Sequence, residues 1–235
     1  NAVITGHHFF QGDSASAGLR TAGLLLPQKH SASLFDGISI AIASIDCTHE
    51  YDPAPGFTTG YSFSALSITD NVFLSGDVAP WFSYIVVKPH GAGQSIAGLT
   101  VTGNKFRSIN GSIDRVERVD TSFADLDMSR GKTVLFQGNT YHAIETPAFN
   151  PLVVTHSENS ANRIWEIETE GKLPFGGQSR GVDAVVMIDK IRNASNVGVY
   201  SVPYVSLQEG PNSDRVHLTW ETEVHGDVTV TVRMD

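Results

Sequence analysis

The sequence predicts an all-β protein: a right-handed parallel β-helix of a few coils, followed by a small antiparallel β-sandwich-like domain. Three observations lead to this fold class. An eight-residue pattern recurs at intervals of 33 and 35 residues, and a period in this range is typical of stacked supersecondary units. After residue 150, several short segments alternate apolar and polar side chains. No run of ten or more residues has convincing helical periodicity.

The eight-residue pattern has the character of a half-buried strand followed by a turn. Its copies are Leu66–Phe73, Leu99–Phe106 and Val134–Tyr141, and a variant occupies Ala2–Phe9. Apolar residues at the first, third and last positions, with polar residues between them, have the period of a strand that buries one face. The sixth position is Asn in the three main copies, and Asn tolerates the left-handed backbone conformation, so we expect it to turn the chain.

Two sets of residues should stack from one copy of the pattern to the next. The amides should pair along a ladder with a spacing of about 4.8 Å, and the aromatic rings should form a stacked core. The expected ladder consists of Asn71, Asn104 and Asn139, and the expected stack of Phe73, Phe106 and Tyr141. The alternative is a chance recurrence of Asn-x-Phe, which would require position, interval and flanking pattern to coincide.

Residues 1–150 form the predicted β-helix domain. It has five candidate coils if Ile38–Ile45 is counted as a strand without the Asn. Tyr84–Lys88 and Val116–Val119 resemble the extra strands that each coil of a β-helix supplies. The long connections between strands are rich in Gly, Ser, Asp and Pro, and loops of this size on a rigid scaffold commonly carry binding residues. These connections are residues 10–35, 46–62, 74–95 and 107–131.

Residues 151–235 form the predicted antiparallel domain. Its alternating segments are separated by turn signals such as Gly176-Gly177, Gly210-Pro211 and His225-Gly226-Asp227. The predicted strands are Ile164–Thr169, Val182–Asp189, Val197–Val205, Val216–Glu221 and Val228–Arg233. A small set of short strands leaves open sheet edges, which an oligomer would cover.

Composition restricts the function further. The formal net charge is −9, with no long basic run, which argues against a nucleic-acid partner. Cys47 is the single cysteine and is expected to be a small buried hydrophobe. No apolar stretch approaches the length of a membrane span, so no membrane insertion is predicted. The sequence begins with Asn inside a repeat-like strand, and we therefore expect earlier coils or domains upstream.

The repeated octets, together with Ile113–Phe123 and Trp165–Phe175, resemble the pectate-lyase-like right-handed β-helix proteins of phages and phage-derived particles. More narrowly, the chain is similar to the tailspikes and head spikes of alphaproteobacterial phages and gene transfer agents. The resemblance implies a homotrimer that grips the surface (capsular) polysaccharide of a bacterial cell. It also implies a location on the surface of a phage-like particle that is released extracellularly, and an upstream particle-attachment domain absent from this sequence.

Aromatic and acidic residues in the long connections are the candidate carbohydrate-binding residues. Sugar C–H faces pack on aromatic rings beside polar groups, and glycan hydrolysis needs two carboxylates about 5–10 Å apart. The candidates are Trp81, Tyr51, Tyr61, Asp46, His49, Glu50 and Asp52. Two of them have structural alternatives: Trp81 would cap the open side of the β-helix, and Asp52 before Pro53 would form a turn. Trp165 and Trp220 lie inside alternating strands and are expected in the core.

The sequence favours a polysaccharide-binding protein over an enzyme. It has no compact acidic run for Ca²⁺ and no G-x-S-x-G signature, so no metal or other cofactor and no identified catalytic residue are predicted. His142 lies next to the turn position of its octet, where stacking on a neighbouring coil accounts for it as well as a ligand role would. The alternative function is a depolymerase, a glycoside hydrolase or lyase acting on the same glycan. A third possibility is a structural particle protein without a ligand.

Overall fold

The computed structural model describes residues 2–5, 8–11, 24–26, 40–43, 62–76, 78, 82–89, 92–109, 111–121 and 124–235. This part of the chain is all-β, as predicted, with two short 3₁₀ turns and no α-helix. The chain divides into two compact units, Asn1–Ala148 (unit 1) and Phe149–Asp235 (unit 2).

The described strands of unit 1 form three parallel sheets of four strands each. Sheet 1 has the order β1 (Ala2–Thr5), β5 (Ser62–Thr69), β8 (Ser95–Thr102), β11 (Lys132–Gln137). Sheet 2 has the order β12 (Thr140–His142), β9 (Lys105–Ser108), β6 (Val72–Ser75), β2 (His8–Gln11). Sheet 3 has the order β10 (Glu117–Val119), β7 (Ile85–Lys88), β4 (Ile40–Ala43), β3 (Leu24–Leu26).

The repeated octet sets the register of sheets 1 and 2. In sheet 1, Leu66 lies opposite Leu99, which in turn lies opposite Val134. The same alignment in sheet 2 places Phe73 opposite Phe106 and Phe106 opposite Tyr141. Because equivalent positions pair, each sheet buries a continuous apolar row, and Leu66, Leu99 and Val134 are all buried.

The turn between sheets 1 and 2 is made by the residue before the Asn, which corrects the prediction that the Asn itself turns the chain. Asp70, Gly103 and Gly138 have φ of 56°, 68° and 67°, whereas the Asn residues that follow are not left-handed. Gly and Asp adopt this conformation at low cost, so the fifth octet position bends the backbone. The space at Gly103 is also tight, because a Cβ there would lie 2.3 Å from the Asp70 Oδ1.

The predicted Asn ladder is confirmed. The Asn104 Oδ1 accepts hydrogen bonds from both the backbone N–H and the side-chain amide of Asn71, each at 3.0 Å. The Asn139 Oδ1 accepts the same pair from Asn104, again at 3.0 Å. The side-chain amide of Asn104 also donates to the Ile68 carbonyl at 2.9 Å. Asn71 and Asn104 are fully buried, so these bonds satisfy polar groups that water does not reach.

The predicted aromatic stack is confirmed as well. The rings of Phe73 and Phe106 are stacked at 4.8 Å, and those of Phe106 and Tyr141 at 5.7 Å. Tyr84 contacts this stack, and its hydroxyl lies 2.6 Å from the Ser75 Oγ and donates to the Arg107 carbonyl at 2.9 Å. Tyr84 therefore ties the segment that leads into sheet 3 to two strands of sheet 2.

Both extra strands predicted for the coils are present in sheet 3. Tyr84–Lys88 contains β7 and Val116–Val119 contains β10, which pair in parallel with Glu117 opposite Ile85. The strand within Ile38–Ile45 is β4, and its place differs from that of an octet strand. It pairs with β7 in sheet 3, with Ile40 opposite Ile85. Its sequence lacks the turn residue and the Asn that connect a strand of sheet 1 to a strand of sheet 2, and β4 accordingly lies in sheet 3.

Unit 2 is one five-stranded antiparallel sheet around a single long strand. The strands are β13 (Leu152–Ile167), β14 (Gly181–Met187), β15 (Arg192–Asn193), β16 (Tyr204–Glu209) and β17 (Arg215–Arg233). All four others pair with β17. The predicted sandwich-like arrangement would need two facing sheets, whereas these pairings form one.

Several strand boundaries in unit 2 differ from the prediction. Val216–Glu221 and Val228–Arg233 are parts of one strand, because Gly226, predicted as a turn residue, pairs with Glu158. The irregularity falls elsewhere, with extra residues on β13 between Glu158 and Asn162 and on β17 between Thr219 and Val224. The strand predicted at Val197–Val205 begins only at Tyr204, and the strand predicted at Ile164–Thr169 begins already at Leu152.

The core of unit 2 contains both tryptophans, as predicted. Trp165 and Trp220 are buried with ring centroids 5.0 Å apart. The indole N–H of Trp165 is shared between the Asn162 and Val224 carbonyls, each at 3.2 Å. At the chain end, the buried Asn150 accepts a hydrogen bond from the Met234 N–H and donates to Asp235.

Candidate functional site

The seven residues predicted from sequence to contact a carbohydrate all lie outside the described residues. They are Trp81, Tyr51, Tyr61, Asp46, His49, Glu50 and Asp52, and Cys47 lies outside as well. The candidate site within the described part of the chain is therefore built from other residues.

Sheet 2 presents a mixed basic and apolar surface. Burial alternates along β6 and β9, so that Phe73 and Phe106 point inward while their neighbours point outward. The six outward residues on the three strands whose side chains are described define the outer face of sheet 2. They are Val72, Leu74, Lys105, Arg107, Thr140 and His142.

The register brings the basic residues together. Arg107 lies directly opposite His142 on one side and Leu74 on the other. Lys105 is two residues earlier on the same strand as Arg107, opposite Thr140. Neighbouring strands are about 4.8 Å apart, and residues on one face of a strand are about 6.6 Å apart, so the three basic residues form one compact cluster.

No acidic side chain is present among these six outward residues. Within the described part of the chain, neither Lys105 nor Arg107 forms a salt bridge. The acidic residue at the preceding turn, Asp70, has its carboxylate close above Gly103. The cationic groups of Lys105 and Arg107 are exposed to solvent and oriented by a well-bonded backbone.

Ile109 extends this surface at the end of β9. Its side chain is 48% exposed, and its N–H donates to the Ser75 carbonyl at 2.8 Å. With Val72 and Leu74, it places apolar side chains beside the basic ones. A polar ligand with C–H faces, such as a sugar, can contact both kinds of group.

The outer face of sheet 1 is rich in hydroxyl groups. Ser67 lies opposite Thr100, and Thr69 lies opposite Thr102, which lies opposite Gln137. These side chains are half-buried or exposed, so their hydroxyl and amide groups are available for hydrogen bonds.

Two exposed carboxylates, those of Asp114 and Glu145, lie in neighbouring segments joined by a parallel bridge between Ile113 and Ile144. The Ser112 Oγ donates to the Glu145 Oε1 at 2.5 Å. Asp114 accepts a long hydrogen bond, 3.5 Å, from Thr146. They are a second set of carboxylates to test for glycan cleavage, in addition to Asp46, Glu50 and Asp52 (the Asp46–Asp52 group), which were predicted from sequence and lie outside the described residues.

The buried ionisable residues of unit 1 have structural roles. Glu117 is fully buried and forms a salt bridge with Arg115 at 2.5 Å. Burial, with a smaller contribution from the charge of Glu117, raises the pKa of Tyr141 far above its usual range. The neutral Tyr141 hydroxyl donates to the Ala148 carbonyl at 2.6 Å. Glu117 and the Tyr141 hydroxyl are therefore engaged in bonds within unit 1.

Unit 2 carries an exposed apolar surface. Within the described part of the chain, ten large hydrophobic side chains are exposed, and nine of them lie in unit 2. We call these nine the apolar face of unit 2: Val153, Ile164, Val186, Ile188, Val197, Tyr200, Val202, Tyr204 and Leu207. Ile164 and Tyr204 flank Thr219 in the sheet, and the next row contains Glu166 and His217. An apolar centre beside charged residues has the composition of a protein interface.

The described residues contain neither a cluster of potential metal ligands nor a helix that could span a membrane. No three His, Cys, Asp or Glu side chains come close enough there to hold a metal ion. No helix in this part of the chain is long and apolar enough to cross a membrane.

Sequence reasoning did not select the basic residues of sheet 2. His142, for which the sequence left stacking on a neighbouring coil and a ligand role open, lies exposed on β12 opposite Arg107. The available signal was the octet itself: the residue after each Asn, and every second residue thereafter, must point outward. Comparisons with protein-family models, with curated proteins and with solved structures find no match.

Proposed function

We propose that this chain is a spike-type adhesin that binds bacterial surface polysaccharide on the outer faces of a short parallel β-helix. The observation that carries the proposal is the outer face of sheet 2, where basic, polar and apolar side chains are held at fixed spacing on paired strands. Such a surface suits a long, repetitive ligand, because each strand offers the next ligand unit a further contact. The adhesive surface is rigid, since it lies on strands and not on loops.

The three parallel sheets are, in this proposal, the three faces of a right-handed β-helix. The residues 62–88 supply one strand to each sheet in turn, β5, β6 and β7, and residues 95–119 repeat this order with β8, β9 and β10. The Asn ladder and the aromatic stack support the same arrangement. Parallel strands joined by crossovers are overwhelmingly right-handed, which favours that hand here.

The proposed assembly is a homotrimer on the surface of a phage or phage-like particle, such as a gene transfer agent. The particle, its extracellular release and an upstream attachment domain come from the sequence resemblance alone. The homotrimer has a separate support in the apolar face of unit 2, because nine large exposed apolar side chains in one small unit are more typical of an interface than of a monomer surface. Three chains would bind one polysaccharide by avidity, so each site needs only modest affinity.

The test is to incubate the purified protein with capsular polysaccharide from candidate host cells. Co-sedimentation measures binding, and size-exclusion chromatography of the glycan over time measures cleavage. Binding with unchanged glycan length is the expected result. Shortening of the glycan would instead favour the depolymerase, and Asp114→Asn and Glu145→Gln would then be compared with substitutions in the Asp46–Asp52 group. Failure to bind any capsular glycan would contradict both functions and leave the structural particle protein.

A further inference from the structure

We infer that the outer face of sheet 2 selects acidic polysaccharides through Lys105, Arg107 and His142. The ligand class is a glycan whose sugars carry carboxylates or equivalent anionic groups at intervals. This inference rests on the proposed polysaccharide-binding function and specifies the chemistry of the ligand at the same site.

The charge distribution is the first argument. The chain has 25 acidic and 16 basic residues, so a typical surface region is negative. The outer face of sheet 2 reverses that sign locally, with two permanent cations and a histidine and no carboxylate among its six outward residues. A local positive surface on an acidic protein attracts anions at that place and disfavours them elsewhere.

The chemistry of the three side chains is the second argument. The planar guanidinium of Arg107 matches a carboxylate with two parallel hydrogen bonds. Lys105 supplies a second positive charge about 6.6 Å along the strand. His142, on the neighbouring strand opposite Arg107, adds a ring that donates or accepts a hydrogen bond. The apolar side chains of Leu74 and Ile109 beside them provide contact for the C–H faces of sugar rings.

The rigidity of this surface is the third argument. The Arg107 carbonyl accepts a hydrogen bond from the buried Tyr84. Asn104, the residue directly before Lys105, is held by its hydrogen bonds in the Asn ladder. The backbone beneath Lys105 and Arg107 is therefore ordered before any ligand binds. Pre-ordered cations lose less conformational entropy on binding than cations in loops.

An acidic polysaccharide fits this surface better than a nucleic acid. Duplex DNA carries one negative charge per about 1.7 Å, and its binding requires many clustered Lys and Arg residues. Here two permanent cations stand on a chain with a net charge of −9. Glycans with one anionic group per one or two sugars present charges at a spacing that two or three basic residues can satisfy.

The test compares acidic polysaccharides with their carboxyl-reduced forms. The probes are polygalacturonate, alginate and hyaluronate, each paired with its reduced, neutral derivative, and binding is measured by affinity electrophoresis of the full chain. The test variant is Lys105→Gln/Arg107→Gln. The matched control is Lys132→Gln/Lys190→Gln, which removes two exposed positive charges elsewhere. Circular dichroism and hydrogen exchange verify that both variants are folded.

The protein should bind at least one acidic probe and lose most of that binding when the carboxylates are reduced. Loss of two ion pairs should weaken binding about tenfold in the test variant, with the control unchanged. Binding should also weaken as the NaCl concentration is raised from roughly 0.05 to 0.5 M, because salt screens the attraction between exposed charges.

Three results would overturn the inference: equal binding of an acidic probe and its reduced form, equal binding by the test and control variants, or binding of duplex DNA in preference to every glycan. The inference would also be overturned if the protein bound none of the acidic probes. If a neutral capsular glycan binds and the test variant binds it normally, only this inference fails. If no capsular glycan and no probe binds, the proposed function fails too.

Discussion

Asn104 has a side chain that bonds to both neighbouring residues of the ladder. Its oxygen accepts two hydrogen bonds from Asn71, and its amide donates to Asn139 and to the Ile68 carbonyl. Asn139, at the other end, is only partly buried, and its side-chain amide donates to the Val101 carbonyl and not to a further ladder residue. The same residue type, at the same position in two copies of the repeat, therefore contributes different amounts to the free energy of unfolding.

We expect Asn104→Ala to lower the free energy of unfolding of unit 1 by about 3 kcal/mol, because it leaves buried backbone and amide groups without partners. Asn139→Ala should cost less, about 1 kcal/mol, because the Asn104 side-chain amide keeps its bonds to the Ile68 and Thr102 carbonyls and Asn139 is itself only partly buried. Hydrogen exchange followed by mass spectrometry measures this locally, through the protection of β5, β8 and β11. Equal loss of protection in the two variants would contradict the ladder as a buried network.

Tyr84 is a second residue with a testable property, a pKa that is raised by its surroundings. It is buried against the aromatic stack, and burial raises its pKa to about 12, despite the opposing effect of its hydrogen bond with Ser75. In the unfolded chain the hydroxyl ionises near pH 10. Between these values the unfolded state releases a proton that the folded state retains, so rising pH destabilises the fold.

The free energy of unfolding of unit 1 should therefore fall between pH 10 and 12. The contribution of Tyr84 is at most about 3 kcal/mol, and Tyr84→Phe should show a shallower fall over this range. At neutral pH the same variant should be less stable by about 1 kcal/mol, because the Arg107 carbonyl loses its donor. Thr121→Val, which removes an exposed hydroxyl in the same unit, is the control and should follow the parent curve. Parallel pH curves for Tyr84→Phe and the parent would argue against a buried neutral tyrosine.

At the scale of elements, β17 organises unit 2. Nineteen residues long, it pairs with every other strand of the sheet, and Val228, Val230 and Val232 form its buried row. Thr229 and Thr231 occupy the opposite, half-exposed face. A strand with partners on both sides and one buried face should tolerate substitution very differently on its two faces.

Val230→Ala should lower the free energy of unfolding of unit 2 by about 2 kcal/mol, through lost burial and the cavity left behind. Thr229→Ala, one residue away on the other face, should change it by less than about 1 kcal/mol. Urea titration followed by the fluorescence of Trp165 and Trp220 reports on this unit, since both rings lie in its core. A larger effect from Thr229→Ala would mean that its face is buried in an assembly.

At the scale of the whole molecule, the apolar face of unit 2 predicts self-association. Tyr200 and Val202 are 94% and 80% exposed in the single chain. Covering such apolar surface with a second chain removes it from water and favours association. Sedimentation velocity should show a species three times the mass of one chain, and Tyr200→Glu should shift it towards the monomer. Ser195→Glu adds the same charge at an exposed polar position and should leave the trimer intact. A monomeric parent protein would contradict the proposed homotrimer.

Features of the fold that depend on local sequence patterns could be predicted, and features that depend on contacts between distant segments could not. The octets repeat a local pattern, so their strands, ladder and ring stack could be predicted from the chain alone. The turn was assigned to the Asn and lies one residue earlier, because both Gly and Asn tolerate a left-handed backbone and only the folded chain distinguishes them. The sequence divides β17 at Gly226, because a local turn signal gives no information about pairing with β13, and this pairing includes Gly226.

The candidate site was less predictable, for a related reason. The residues selected from sequence lie in the long connections, outside the described residues. Lys105 and His142 are 37 residues apart and have no common local motif. Their proximity follows from parallel pairing at the repeat interval, which places Arg107 opposite His142. Chemistry that depends on residues of different strands becomes visible only once the register is known.

The sequence alone determined the all-β class, the repeat interval and the residues that stack, because each depends on the short-range alternation of apolar and polar side chains. Tertiary structure decided which strands share a sheet, that β4 pairs with β7, and that β17 is one strand. It also decided that basic residues cluster on the outer face of sheet 2 and that the apolar face of unit 2 is exposed in the single chain. The physical reason is that pairing and burial are properties of contacts between distant segments, and local pattern limits those contacts without specifying them.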